Sequence, residues 1–322
     1  MKEVPMTVAA QVEVQCEDYE HTASLSGTYG GIEVRHRRAS TREMFQLGLQ
    51  HKPFELVEFS ISNYIMMRAR GARWLTALPV FPYRAFRHNI IHVLQGSPLK
   101  APGDLRGKTI ALPDYSMTAA VWTRGLFQAE YGLDPGEINW VSRRNQRFPT
   151  PPGVKLSLTD DDLEDLVLRG EVDGLLIPEL SDKAYEHGRF RRMLPNHPAD
   201  ERAYFQKSGI YPPNHVMVVN LEVVKDYEPV ARAVFAAFAS SKARAYERQL
   251  GASMVPWSHE HWETTMKLFQ NDPLPYGLTP VNVRAVEMVA RFLAEQKLID
   301  GPIGIDALFD PVAKGLSEGA SR

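Results

Sequence analysis

The stretch Asp104-Leu105-Arg106-Gly107-Lys108-Thr109-Ile110-Ala111-Leu112-Pro113-Asp114-Tyr115-Ser116-Met117, continuing as TAAVWTRGLFQAEYG over residues 118–132, decides the fold. It opens on a polar turn at 104–108, and residues 109–112 then read as a short, fully buried strand. Ser116 is placed to cap a helix that runs to about residue 131. A strand that feeds directly into a helix is the repeating unit of a parallel sheet with crossover helices.

Working outward, the same rhythm recurs on the N-terminal side. Residues 8–15 read as a strand that ends in a polar loop over 17–22. Residues 41–49 read as a helix whose apolar surface comes from Met44, Phe45, Leu47 and Leu49. A strand over 56–59 leads through Ser60, Ile61, Ser62, Asn63 and Tyr64 into another helix, and a strand over 75–80 is stopped by Pro82. Beyond residue 132, a helix over 163–168 closes on Gly170, and strands follow at 172–177 and 215–220. Helices then dominate, at 230–250, 260–269 and 281–296. The expected architecture is α/β and two-lobed. Residues 1–92 and 216–322 form a discontinuous first lobe, and 93–215 form an inserted second lobe. The crossings lie at 88–95 and 215–220, so a hinge joins the lobes and a cleft separates them. In such folds small molecules bind beyond the carboxyl ends of the strands and at domain interfaces.

Composition narrows the function. The chain has 322 residues, 44% hydrophobic and 24% charged, with a formal net charge of -2. That balance gives no long-range attraction to nucleic acid or to an anionic membrane. Cys16 is the single cysteine, which rules out an internal disulfide and a thiolate metal cluster. No apolar run reaches the length of a membrane span. Residues 1–11 carry one lysine and no long apolar run, so the expected location is cytoplasmic. The helical C-terminal third is compatible with a homo-oligomer.

Four segments could carry chemistry. In Phe81-Pro82-Tyr83-Arg84-Ala85-Phe86-Arg87-His88, two arginines and a histidine follow a strand end beside the first crossing. Arginine grips carboxylates through its planar fork, and histidine moves protons near neutral pH. The bland alternative is a solvated basic loop. In residues 112–125, Tyr115, Ser116 and Thr118 offer hydroxyls at a helix N-terminus, itself an anion-attracting end. Arg124 falls on the apolar stripe of that helix with Met117, Ala120 and Val121; its bland reading is an arginine that reaches past them to solvent. Ser208-Gly209-Ile210-Tyr211-Pro212-Pro213-Asn214-His215 brings His215 to the return crossing, near His88. Asp272-Pro273-Leu274-Pro275-Tyr276-Gly277-Leu278 is a stiff loop that could carry Tyr276 to the cleft, and Tyr19 is a candidate by position after the first strand. His259-Glu260-His261 suggests a metal, but residues two apart on a helix do not share a face. No metal is expected. Phosphate-cradling glycine loops, nucleophile elbows and dinucleotide fingerprints are absent from the sequence.

The segments PVFPYRAFRH (79–88), DLRGKTIALPDYSMTAAVWTRGLFQAEYG (104–132), SGIYPPNH (208–215) and PYG (275–277) resemble the 4,5-dihydroxyphthalate decarboxylase family, whose fold is that of the type II periplasmic binding proteins. The similarity spans nearly the whole chain. After Trp140 the sequence reads Val141-Ser142-Arg143-Arg144-Asn145-Gln146 where the family suggests a glycine pair, and Pro213-Asn214 replaces an apolar pair. These departures bear on the substrate.

The resemblance implies a cofactor-independent decarboxylase of a small hydroxylated aromatic carboxylate, with 4,5-dihydroxyphthalate giving 3,4-dihydroxybenzoate and CO2 as the leading case. On that reading Arg87 and Arg124 hold a carboxylate, with Arg84 beside them and the helix start at 116–118 assisting. His88 and His215 share the proton transfers, and Tyr115 and Tyr276 orient the ring. Two alternatives stand beside it. One is a non-catalytic receptor for an aromatic or dicarboxylic solute; the other is an enzyme of the menaquinone-pathway type on the same fold.

Overall fold

A computed structural model describes residues 10–249, 251 and 255–318. The chain first lays down β1 (Ala10–Cys16), β2 (Gly27–Tyr29), β3 (Ile32–Arg38), β4 (Leu56–Ser60) and β5 (Leu75–Leu78). It then builds β6 (Ile91–Leu94), β7 (Thr109–Leu112), β8 (Asn139–Arg143), β9 (Leu156–Thr159), β10 (Gly174–Leu176) and β11 (Phe190–Arg192), and comes back with β12 (His215–Asn220). Among the described residues these strands form two sheets of six, in the orders β2-β3-β1-β4-β12-β5 and β11-β6-β10-β7-β8-β9. In the first sheet β1 runs parallel to β3 and β4, while the returning β12 slots antiparallel between β4 and β5. The segments between β5 and β6 and before β12 are therefore the two passages between the sheets.

The main helices are α1 (Thr41–Leu49), α2 (Ile61–Ala69), α3 (Thr118–Tyr131), α4 (Leu163–Leu168), α5 (Asp182–His187), α6 (His197–Ser208), α7 (Tyr227–Gln249), α8 (Ser258–Leu268) and α9 (Pro280–Glu295). α1 begins at a capping box in which Ser40 and Glu43 bond reciprocally. α3 starts one residue later than expected. Met117 stands at its N-cap, and the Ser116 hydroxyl donates instead to Asp114 Oδ1 at 2.5 Å. The β2–β3 hairpin was not expected from the sequence. Gly30 and Gly31 make its turn with φ of 55° and 82°, a left-handed path that favours glycine.

All five residues of β4 are buried, because strands lie on both sides of it and helices cover its faces. The largest core is continuous across both sheets, joining Phe59 and Tyr64 to Ile110, Leu112 and Trp122. α9 closes this core by packing on α2 and α3, and Trp122 also ties the second sheet to the return passage by donating its indole N–H to Pro213 O at 2.9 Å. Among the described residues no helix is long and apolar enough to cross a membrane, and no group of three or more His, Cys, Asp or Glu could hold a metal ion.

Candidate functional site

The site grows from the register of two neighbouring strands. His215 opens β12 opposite Ser60, and Glu58 lies two residues before Ser60 on β4, so both side chains emerge on one face as diagonal neighbours. His215 Nδ1 meets Glu58 Oε1 at 2.5 Å. The same carboxylate accepts the Tyr19 hydroxyl at 2.7 Å and the Glu17 amide at 3.0 Å. An ionised carboxylate only accepts hydrogen bonds, so Nδ1 donates to Glu58 and Nε2 is the ring nitrogen that Glu58 leaves unengaged.

Glu58 is fully buried, and burial is the largest influence on its carboxyl, pushing the pKa up. The hydrogen bond and charge of His215, with those from Tyr19 and Glu17, outweigh it and hold the carboxyl below its usual range. Burial, reinforced by Glu58, drives the Tyr19 hydroxyl far above the ordinary phenol range, so it serves as a donor. His21, packed against Tyr19 with ring centroids 5.3 Å apart, is pushed down to about 4 by burial and is neutral at pH 7.

Aromatic rings wall this cluster. Tyr83 stacks on Tyr19 at 5.9 Å and lies 5.0 Å from the His215 ring, while Phe45 meets His215 edge-on at 5.2 Å. Each of these two rings also carries an arginine. The Arg87 guanidinium lies 5.5 Å over Tyr83, anchored by a 2.7 Å bond from Nε to Asn214 Oδ1. The Arg147 guanidinium lies 5.4 Å over Phe45, and its Nη1 donates to Asn63 Oδ1 at 3.0 Å. Arg147 follows β8 of the second sheet, held by its own amide on Asp114 Oδ2 at 2.8 Å. Both sheets thus contribute to one constellation: a base fixed by a buried carboxylate, flat apolar walls, and two cations. That arrangement can bind an aromatic anion and move a proton on it.

Of the residues the sequence singled out, the structure brings together Tyr19, Arg87 and His215. It sends the others elsewhere. The His88 ring packs 5.4 Å from Tyr204, its Nδ1 is buried without a partner, and burial lowers its pKa to about 4. No hydrogen bond or ring contact joins it to His215 among the described residues, so the expected histidine pair does not form. Arg124 lies 3.7 Å over the Tyr115 ring, bonded to Tyr115 O and Gln296 Oε1, and is a buried strut beneath α3. Its stripe position reflects packing inside the molecule and not passage to solvent. The hydroxyls expected to greet an anion are already engaged. Thr118 Oγ1 bonds Ser60 and Ser62, and Ser116 is spent on Asp114. Tyr276 is buried in the first sheet's own core, 6.1 Å from Phe238. Arg84 turns to the opposite side of the passage, onto Tyr211 O, Pro275 O and Asn282 Oδ1.

Glu58 and Arg147 were missed. The signal for Glu58 was a lone carboxylate inside an otherwise apolar strand, LVEFS, which needs a buried partner to be tolerated. The signal for Arg147 was the basic run that replaces the expected glycine pair after Trp140.

Comparison with known proteins follows the same lines. The family model described as the periplasmic substrate-binding protein of phosphonate ABC transporters matches residues 20–254. A 4,5-dihydroxyphthalate decarboxylase of Comamonas testosteroni is 28% identical over 282 residues, covering 82% of this chain and 83% of its own. A protein of the same name from Pseudomonas putida is 30% identical over 158 residues, covering 46% of this chain and 61% of its own. Among solved structures, the periplasmic aliphatic sulphonate binding protein SsuA from Escherichia coli superposes with a TM-score of 0.56 at 16% identity, over 93% of this chain and 97% of its own. That last likeness establishes the shared two-lobed fold.

Proposed function

Starting from a chain that belongs to the phosphonate-type periplasmic substrate-binding protein family, we propose that it is a cofactor-independent decarboxylase of a hydroxylated aromatic carboxylate, with 4,5-dihydroxyphthalate as the leading substrate. The observation that carries this reading is the Glu58–His215 pair, in which a buried carboxylate holds Nδ1 and leaves Nε2 unengaged among aromatic rings, placed to exchange a proton with a bound phenol. A receptor needs no such fixed base. Two relatives that bear the decarboxylase name support the choice of substrate.

The chemistry balances with these groups alone. His215 Nε2 takes the phenolic proton para to the departing carboxylate. The oxyanion sends charge through the ring to the carboxylate-bearing carbon, which accepts one proton that originates in solvent. The bond to the carboxylate then breaks, CO2 leaves, and its electron pair restores the aromatic ring. His215 returns its proton to the oxygen. Arg87 and Arg147 hold the carboxylates while Tyr83 and Phe45 fix the ring plane, and closure of the cleft strengthens each contact by excluding water.

A second reading, a solute receptor, is compatible with the family to which the chain belongs. The experiment that separates them is steady-state turnover of 4,5-dihydroxyphthalate by wild type, His215→Ala and Glu58→Gln, each with and without EDTA. The expected result is a loss of about 10²–10⁴-fold in kcat for His215→Ala, a substantial loss for Glu58→Gln, and no effect of EDTA. Full turnover by His215→Ala would remove the base from the mechanism.

A further inference from the structure

A second cavity lies on the other side of the passage between the sheets, bounded by α6, the end of α8, the loop after it and the start of α9. Its volume is about 340 Å³, and none of Tyr19, Phe45, Glu58, Tyr83, Arg87, Arg147 or His215 lines it. That is the size of pocket that takes a molecule of one ring.

Its walls are flat and apolar. Phe205 and Phe269 lie with ring centroids 4.1 Å apart, and Tyr211 meets Phe269 edge-on at 5.4 Å. Its base is Arg84. Backbone carbonyls and the Asn282 amide oxygen satisfy the two terminal nitrogens, whereas Nε is buried with no partner. No carboxylate forms an ion pair with Arg84 among the described residues, and burying a charge without a counter-charge is costly. Asp272 also lines the cavity, but Lys242 at 3.0 Å and the Tyr246 hydroxyl at 2.8 Å already engage it. Arg284, exposed at the rim, likewise has no ion pair among the described residues. At the lip, Gln270 and Asn271 hold φ of 53° and 70°, a left-handed conformation that costs free energy for residues other than glycine.

We propose that this cavity is a second binding site, for a small aromatic carboxylate, whose ring lies among Phe205, Phe269 and Tyr211 and whose carboxylate meets Arg84 and Arg284. The missing counter-charge and the flat walls both select that class. Arg84 pairs with Pro213 in an isolated bridge, and Ala85 donates to Pro212 O at 3.1 Å, so an occupant rests on the passage that carries His215. The inference stands independently of the decarboxylase reading, because it concerns different residues and equilibrium binding only.

Calorimetric titration of the full chain with benzoate tests it, comparing wild type, Val281→Trp, which fills the cavity, and Arg284→Glu, which opposes the anion from an exposed position. Val281→Trp should bind one equivalent fewer than wild type. Arg284→Glu should weaken the same class of site by roughly tenfold, in line with the loss of one charge-assisted contact. Failure of wild type to bind benzoate, or an unchanged stoichiometry in Val281→Trp, would overturn the proposal. So would an Arg284→Glu variant that titrates as wild type.

Discussion

Glu58 has no exposed surface, yet it is held in its charged form, and that combination has a consequence for acid stability. Its carboxyl is depressed in the folded chain, so on acidification the unfolded chain takes up the proton first. The stabilisation is complete above the ordinary carboxylate value of about 4.3 and is lost as pH falls through the folded value. Urea unfolding at a series of pH values should therefore show wild type losing stability more steeply than Glu58→Gln as pH drops below about 5. Parallel slopes for the two proteins would mean that Glu58 is not held ionised by His215 and Tyr19. At this scale the sequence identified residue types better than directions. Successive side chains along an extended passage point to opposite sides, so Tyr83 faces His215 whereas Arg84 faces the second cavity. His88 was near the right place in the chain, but its ring turns into the packing under α6. No spacing in the sequence distinguishes these orientations, because tertiary contacts set them.

Among the elements, α3 illustrates what periodicity can and cannot show. Its end near Tyr131 was readable, and Gly132 closes it in a left-handed conformation, whereas its start was not readable. Asp114 captures the Ser116 hydroxyl, and Met117 takes the cap position instead. Gly125 in the middle of α3 looks unfavourable from helix propensity alone. It is explained by α9: a Cβ at this position would fall 2.3 Å from the Phe292 ring. Gly125→Ala should accordingly destabilise the protein by about 1–3 kcal/mol through overpacking, against the modest gain expected in an exposed helix. Thermal unfolding measures this directly, and a neutral or stabilising substitution would show that α9 yields easily. The β2–β3 hairpin escaped notice because β2 is three residues long and largely exposed, and the apolar alternation of β3 stops after Ile32 and Val34.

At the scale of the whole molecule, the alternation of strands and helices was legible because buried strands and amphipathic helices leave strong patterns, but β8, β9 and β11 were not read, and the crossings expected at 88–95 and 215–220 are largely the strands β6 and β12 themselves. The joining of both halves into one core was not legible, since it depends on α9 returning against α2 and α3. That joining places Arg147, from the second sheet, on the same ring as His215, from the first. The most direct measurement is CO2 release from 4,5-dihydroxyphthalate, followed in parallel with binding of the same compound by the full chain. The account predicts CO2 and 3,4-dihydroxybenzoate in many equivalents per chain at a steady rate. Tight binding with the ligand recovered unchanged would contradict it and leave a receptor built on the same fold.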